Sequence, residues 1–132
     1  MRQGFRLRSF DGREWLIAHV DLAKRYRVSK YGVDVTAIDA AAEALLIPKP
    51  GLVVYLIDEV GKMECLSARF ISAIQRLLES DKAIIATVGK KGAGFIAEIK
   101  QRTDCLLWEI TYENRDEMSV RVLDWLEHEL SV

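Results

Sequence analysis

Leu52-Val53-Val54-Tyr55-Leu56-Ile57-Asp58-Glu59-Val60-Gly61-Lys62-Met63-Glu64 is the stretch on which the fold turns. Its first six residues are apolar without a break, the pattern of a strand buried on both faces of a parallel sheet. An acidic pair closes the run, and from about Ser67 the period becomes helical. Phe70, Ile71, Ile74, Leu77 and Leu78 then fall on one inward face. A buried strand feeding an amphipathic helix is half of a βαβ unit.

Downstream the rhythm repeats. Ala83 to Val88 predicts a second buried strand, followed by a glycine-rich loop (Gly89, Gly92, Gly94) and a short helix presenting Phe95, Ile96 and Ile99. Cys105 to Ile110 reads as a third strand, and a last helix opens at Asn114 and buries Met118, Val122, Trp125, Leu126 and Leu130. Upstream, Thr36 caps a helix carrying Ile38, Ala41, Ala42, Leu45 and Leu46, which Pro48, Pro50 and Gly51 end. The basic stretch Lys24 to Tyr31 has no helical periodicity. Before it, Gly4 to Phe10 and Glu14 to Val20 form a hairpin about Asp11-Gly12. Apolar strands alternating with amphipathic helices imply right-handed crossovers. The predicted fold is α/β, a mostly parallel sheet with helices on both faces and the hairpin as an ornament.

Composition narrows the classes. The chain has 132 residues, half of them hydrophobic, with 19 Lys and Arg against 20 Asp and Glu. That near-neutral balance argues against a general nucleic-acid binder, which carries a basic excess. No apolar run approaches the roughly 20 residues that span a bilayer, and the basic N-terminus lacks the apolar stretch of a secretory signal. Cys65 and Cys105 are too few and too far apart for a disulfide framework or a zinc site. A cytoplasmic, reducing setting is the default.

In open parallel sheets, ligands sit beyond the carboxyl ends of the strands. The candidate segments are therefore 58–64, 89–94 and 111–115. An apolar strand ending in Asp58-Glu59 matches the Walker B pattern, in which the Asp associates with Mg²⁺, usually through water, and the Glu can orient and deprotonate the attacking water. On the pair alone, a solvated strand end is the simpler reading.

The longer string Leu56-Ile57-Asp58-Glu59-Val60-Gly61-Lys62-Met63-Glu64, with Ser67 and Phe70, resembles the corresponding block of the small P-loop nucleoside-triphosphatases of thermophiles, a family that includes the cancer-related nucleoside-triphosphatase of animals. Further blocks agree in order. Gly4-Phe5-Arg6 is similar to the family's hairpin, and residues 27–35, Arg-Val-Ser-Lys-Tyr-Gly-Val-Asp-Val, to its RVGKYGVDV segment, with Ser29 where Gly is frequent. Asn114-Arg115-Asp116 is similar to its late NRD motif. The likeness runs from Gly4 onward and implies hydrolysis of a nucleoside triphosphate to the diphosphate and phosphate, with Mg²⁺ as cofactor. It also implies Asp58 as the metal-associated acid and Glu59 as the general base.

One part of the family pattern has no counterpart. No glycine in the sequence begins GxxxxGK[ST]; Gly89 and Gly94 have the glycine spacing, but Phe95 follows. The resemblance thus implies a P-loop nucleoside-triphosphatase domain over 1–132 without its first strand, P-loop and first helix. The backbone N–H groups and Lys of that loop hold the phosphates, so hydrolysis by this chain is expected to be impaired. The missing strand should lie centrally, leaving two unpaired edges and a route to a homodimer.

Other candidates have two readings each. Lys62 binds phosphate or locks the Asp58 loop, or is an ordinary exposed lysine. Glu64 pairs with Lys62 or a group on another loop, or is structural. Asn114 with Glu117 is close to a capping box, whereas Arg115 in a first helical turn opposes the macrodipole and favours a nucleotide base or phosphate outside. Lys30 and Tyr31 line a nucleotide site or pack on the sheet. Lys90 and Lys91 meet phosphate or stay solvated. Two functions remain open: a nucleoside-triphosphatase, and a non-catalytic nucleotide- or protein-binding relative of the same fold.

Overall fold

The computed structural model describes residues 1–23 and 25–131. The hairpin is present: β1 (Gly4–Arg8) pairs antiparallel with β2 (Glu14–His19). It is half of a four-stranded antiparallel sheet rather than an ornament. Part of the basic stretch, expected only to lack helical period, supplies β3 (Tyr26–Val28), which turns back into β4 (Tyr31–Val33), giving the order β1-β2-β4-β3. The turn between β3 and β4 puts Ser29 at φ 55°, a left-handed conformation that glycine adopts at lower cost. Gly32 is needed for room: a Cβ there would lie 2.0 Å from the Leu22 carbonyl oxygen.

Helix α1 (Val35–Leu45) is capped by Asp34 instead of Thr36; Asp34 Oδ1 accepts from Ala37 N–H at 3.1 Å. Either side chain can cap, and the helix begins two residues earlier than a Thr36 cap would set. Ile38, Ala41 and Ala42 face inward, and Ile38 packs with Ile17, Ala18 and Val33 of the antiparallel sheet in one core. Tyr55, 6 % exposed, donates its hydroxyl to Ile47 O and accepts from Lys49 N–H, both at 3.0 Å, which ties the proline loop to the next strand.

That strand is β5 (Val54–Val60), parallel to β6 (Ala83–Val88). Between them one turn of 3₁₀ helix (Glu64–Leu66) leads into α2 (Ala68–Leu78), whose Phe70, Ile74 and Leu77 are buried. Ser67 is fully buried yet satisfied on both sides: its oxygen accepts from Phe70 N–H, and its hydroxyl donates to Asp39 of α1. A capping hydroxyl thus also fastens the two helices together. Short α3 (Phe95–Lys100) and long α4 (Arg115–Leu130) complete the described elements.

Two strand expectations change. Leu56 is 52 % exposed while Tyr55 is buried, and β6 has no buried residue, so neither parallel strand is buried on both faces. Cys105 to Ile110 forms no strand; Leu106, Leu107 and Ile110 are exposed. Apolar, β-prone residues need a neighbouring strand to complete a ladder, and among the described residues none pairs with this segment. The α/β class, with a parallel sheet, helices and N-terminal hairpin, holds.

Candidate functional site

The strands of the parallel pair end side by side, Ile57 against Ala86 and Val60 against Val88, and the register slips between those pairs. The slip falls on Asp58 and Glu59. Irregularity there frees both residues from strict alternation, and both side chains are exposed.

Thr87 on β6 donates its hydroxyl to Asp58 Oδ1 at 2.6 Å. A hydroxyl can be donor and acceptor at once; here it donates, and Asp58 Oδ2 has no hydrogen bond among the described residues. Sequence reasoning passed over Thr87. The available signal was a lone polar side chain near the end of the apolar run Ala83 to Val88.

Beyond β5 the chain turns at buried Gly61, whose N–H donates to Glu64 Oε1 at 3.2 Å. A Cβ on Gly61 would stand 2.8 Å from Glu64 Oε1 and 3.1 Å from Glu59 Oε1. Two carboxylates therefore occupy the space a side chain would need. Burial raises the Glu64 pKa, and the charge of Glu59 adds to the rise. Burial also pushes the Cys65 thiol up to about 11. Glu64 makes no ion pair with Lys62; the Gly61 amide takes that place because it lies on the inner side of the turn, whereas Lys62 is exposed.

A second group forms beside the glycine-rich loop. Lys90 Nζ meets Glu109 Oε1 at 3.0 Å, and Lys100 Nζ donates to Lys90 O at 2.6 Å. Asn114 stands at the N-cap position of α4, but its side chain makes no capping bond: its Oδ1 accepts from Thr111 N–H at 2.7 Å and its Nδ2 donates to Glu109 O at 2.9 Å. The backward bonds brace the turn before α4 and leave the cap geometry unused. The Arg115 guanidinium lies 5.5 Å from the exposed Tyr112 ring. Lys90, Glu109, Tyr112 and Arg115 line an open depression of about 380 Å³. A neighbouring one of about 390 Å³ runs along the first turns of α4. Neither is lined by Asp58 or Glu59.

Lys30 lies in the turn between β3 and β4, and Tyr31 opens β4 of the antiparallel sheet. The Lys30 ammonium lies 5.5 Å from the Tyr31 ring, which meets Phe5 edge-on at 5.0 Å. No hydrogen bond or ion pair among the described residues joins them to the strand end.

The oxygen donors suit a hard cation. Mg²⁺ keeps several waters and takes one or two protein carboxylates together with phosphate oxygens. Asp58, exposed and with one oxygen uncommitted, offers one such ligand, while no cluster of three or more ligating side chains occurs among the described residues.

Sheet, helices and hairpin together define an α/β protein of the P-loop nucleoside-triphosphatase type. A family model described as NTPase matches residues 1–123. The chain is 34% identical over 128 residues to the nucleoside-triphosphatase THEP1 of Thermotoga sp. strain RQ2, covering 95% of this chain and 72% of that protein. Among solved structures it is similar to THEP1 from Aquifex aeolicus, with a TM-score of 0.80 and 26% identity over 96% of this chain and 78% of the other. It is also similar to a human cancer-related nucleoside triphosphatase, with a TM-score of 0.79 and 28% identity over 97% and 75%. The chain belongs to this nucleoside-triphosphatase family.

Proposed function

We propose that the protein hydrolyses nucleoside triphosphates to the diphosphate and phosphate, and that these 132 residues do so poorly on their own. The observation that carries the reading is the strand-end arrangement: Asp58 held by Thr87 at 2.6 Å, with Glu59 exposed beside it. Asp58 is the residue that would hold Mg²⁺, and the cation would offset the phosphate charge that builds up during transfer. Thr87 keeps the Asp58 carboxylate in one orientation. Glu59 accepts the proton of the attacking water at its carboxylate. Arg115 and Lys90 are the cations that meet the nucleotide at the second depression, with Tyr112 a platform for the base and Asn114 bracing the turn that presents them. Lys62 reaches phosphate from the strand-end loop, and Lys30 and Tyr31 approach from the antiparallel sheet.

Impairment follows from chemistry the sequence does not contain. A GxxxxGK[ST] segment supplies several backbone N–H donors and a Lys to the phosphates. Without such a segment in cis or trans, the strand-end carboxylates face the phosphates with little opposing charge. A cytoplasmic setting accords with two free cysteines, and no helix among the described residues is long and apolar enough to cross a membrane.

The test is phosphate release with Mg²⁺ and each common nucleoside triphosphate, beside Glu59→Gln. The same assay is repeated on a fusion carrying the N-terminal strand, P-loop and helix of the Thermotoga relative. Slow or absent release by the chain, restored by the fusion and abolished by Glu59→Gln, is expected. A fusion that binds nucleotide but releases no phosphate would overturn hydrolysis in favour of a binding role.

A second reading concerns association. Exposed Leu106, Leu107 and Ile110, in a segment that pairs with no strand among the described residues, favour pairing of two copies through free edges. Sedimentation at high concentration tests it, and a monomer throughout would sink it.

A further inference from the structure

Glu64 has no part in the chemistry described so far, yet its carboxyl is sequestered. It stands six positions beyond Asp58 in the chain, opens the 3₁₀ turn, and comes back to accept the Gly61 N–H at 3.2 Å. A surface glutamate gains little from such a return, since water would serve its oxygens equally well. The explanation lies in what shares the pocket. Glu64 Oε1 and Glu59 Oε1 both lie within 3.1 Å of the point where a Gly61 Cβ would stand.

The geometry points to Glu64 as a positioning residue: by holding the Gly61 turn from within, it sets where the Glu59 carboxylate can stand at the end of β5. Bringing a second carboxylate near the first is unfavourable in itself, and burial and the Glu59 charge both disfavour ionised Glu64. An arrangement that costs stability and restrains a neighbouring carboxylate is common where chemistry needs orientation. Gly61 fits this role, because any side chain there would push the two carboxylates apart.

This inference rests on Glu59 as the base of hydrolysis, and two kinds of measurement keep the two claims separate. The first needs no turnover: amide exchange at Gly61 and the side-chain carboxyl carbon resonance of Glu59, followed by NMR at fixed pH in the 132-residue chain. Glu64→Ala should speed Gly61 exchange at least about tenfold and move the Glu59 resonance. Glu64→Gln, whose carbonyl can still accept from Gly61, should restore both. The second is steady-state hydrolysis by the fusion. Glu64→Ala should lower kcat at least about tenfold with KM nearly unchanged, Glu64→Gln should recover most of it, and Glu64→Ala should add little on a Glu59→Gln background. An unmoved Glu59 resonance, or a Glu64→Ala loss that adds in full to Glu59→Gln, overturns the inference. Coupled NMR changes in a protein that never releases phosphate would leave the positioning intact and defeat the hydrolytic reading alone.

Discussion

Thr87 on one strand of the parallel pair donates its hydroxyl to Asp58 Oδ1 on the other at 2.6 Å, across the place where their register slips. The bond ties the two strands at the break in their ladder, between the Ile57–Ala86 and Val60–Val88 pairs. It engages Asp58 Oδ1 and leaves Oδ2 without a hydrogen bond among the described residues.

Thr87→Val removes that bond with little change of shape. Both side chains are exposed, so stability should change by less than about 1 kcal/mol in urea unfolding. In the fusion kcat should fall, whereas Thr87→Ser should keep most of it. Equal losses in both variants would show that the methyl group matters and the hydroxyl does not.

Ser29 and Gly32 bear on stability alone. Ser29 has φ 55°, so Ser29→Gly should raise the urea midpoint by the equivalent of up to about 1 kcal/mol. Gly32→Ala meets the Leu22 carbonyl and should cost about 2–3 kcal/mol. The two changes test one turn from opposite sides, relief of strain and loss of room.

Glu64 makes stability depend on pH in a direction that can be worked out. Its pKa is raised in the folded protein above the ordinary 4.5, by burial first and by Glu59 second. The folded state then binds the proton more tightly than the unfolded state does. The stability this proton provides is full below the unfolded value and is lost as pH climbs through the folded one. Glu64→Gln cannot titrate, so it should gain on the wild type between pH 4.5 and neutrality. Urea unfolding of both proteins at several pH values checks this. Acid losses from Asp11, Glu14 and Asp104, whose pKa values arginine partners lower, are common to both proteins and cancel in the difference.

Arg115 and Tyr112 test the second depression. Arg115→Ala should raise KM severalfold in the fusion and leave kcat nearly intact, since a contact made equally in ground and transition states affects binding alone. A loss confined to kcat would move Arg115 to the reacting phosphate instead. Glu109→Gln, which frees Lys90 from its 3.0 Å ion pair, should change stability by under about 1 kcal/mol because such exposed pairs contribute little.

Local pattern was enough for much of this chain. The runs 52–57 and 83–88 announced the two parallel strands, helical spacing placed Phe70, Ile74 and Leu77 in the core, and Asp11-Gly12 marked the hairpin. These signals depend on neighbours a few residues apart, where periodicity is written directly. Asp58 and Glu59 were legible for the same reason, as an abrupt change of polarity at a strand end.

The rest depended on residues far apart in the chain. Whether Cys105 to Ile110 becomes a strand is decided by what lies beside it; Leu106, Leu107 and Ile110 are exposed, and no strand among the described residues pairs with the segment. Asn114 has the sequence of a cap and is spent on Glu109 and Thr111. Thr87 is 29 positions from the Asp58 it holds. The amino-acid sequence by itself determined the α/β alternation, the hairpin and the acidic strand end, because each is local burial and spacing. Only the tertiary structure decided that Thr87 holds Asp58, that the Glu64 and Glu59 carboxylates both close in on Gly61, and that Lys90 faces Glu109, because hydrogen bonds and charges act over a few ångströms of space, whatever their separation along the chain.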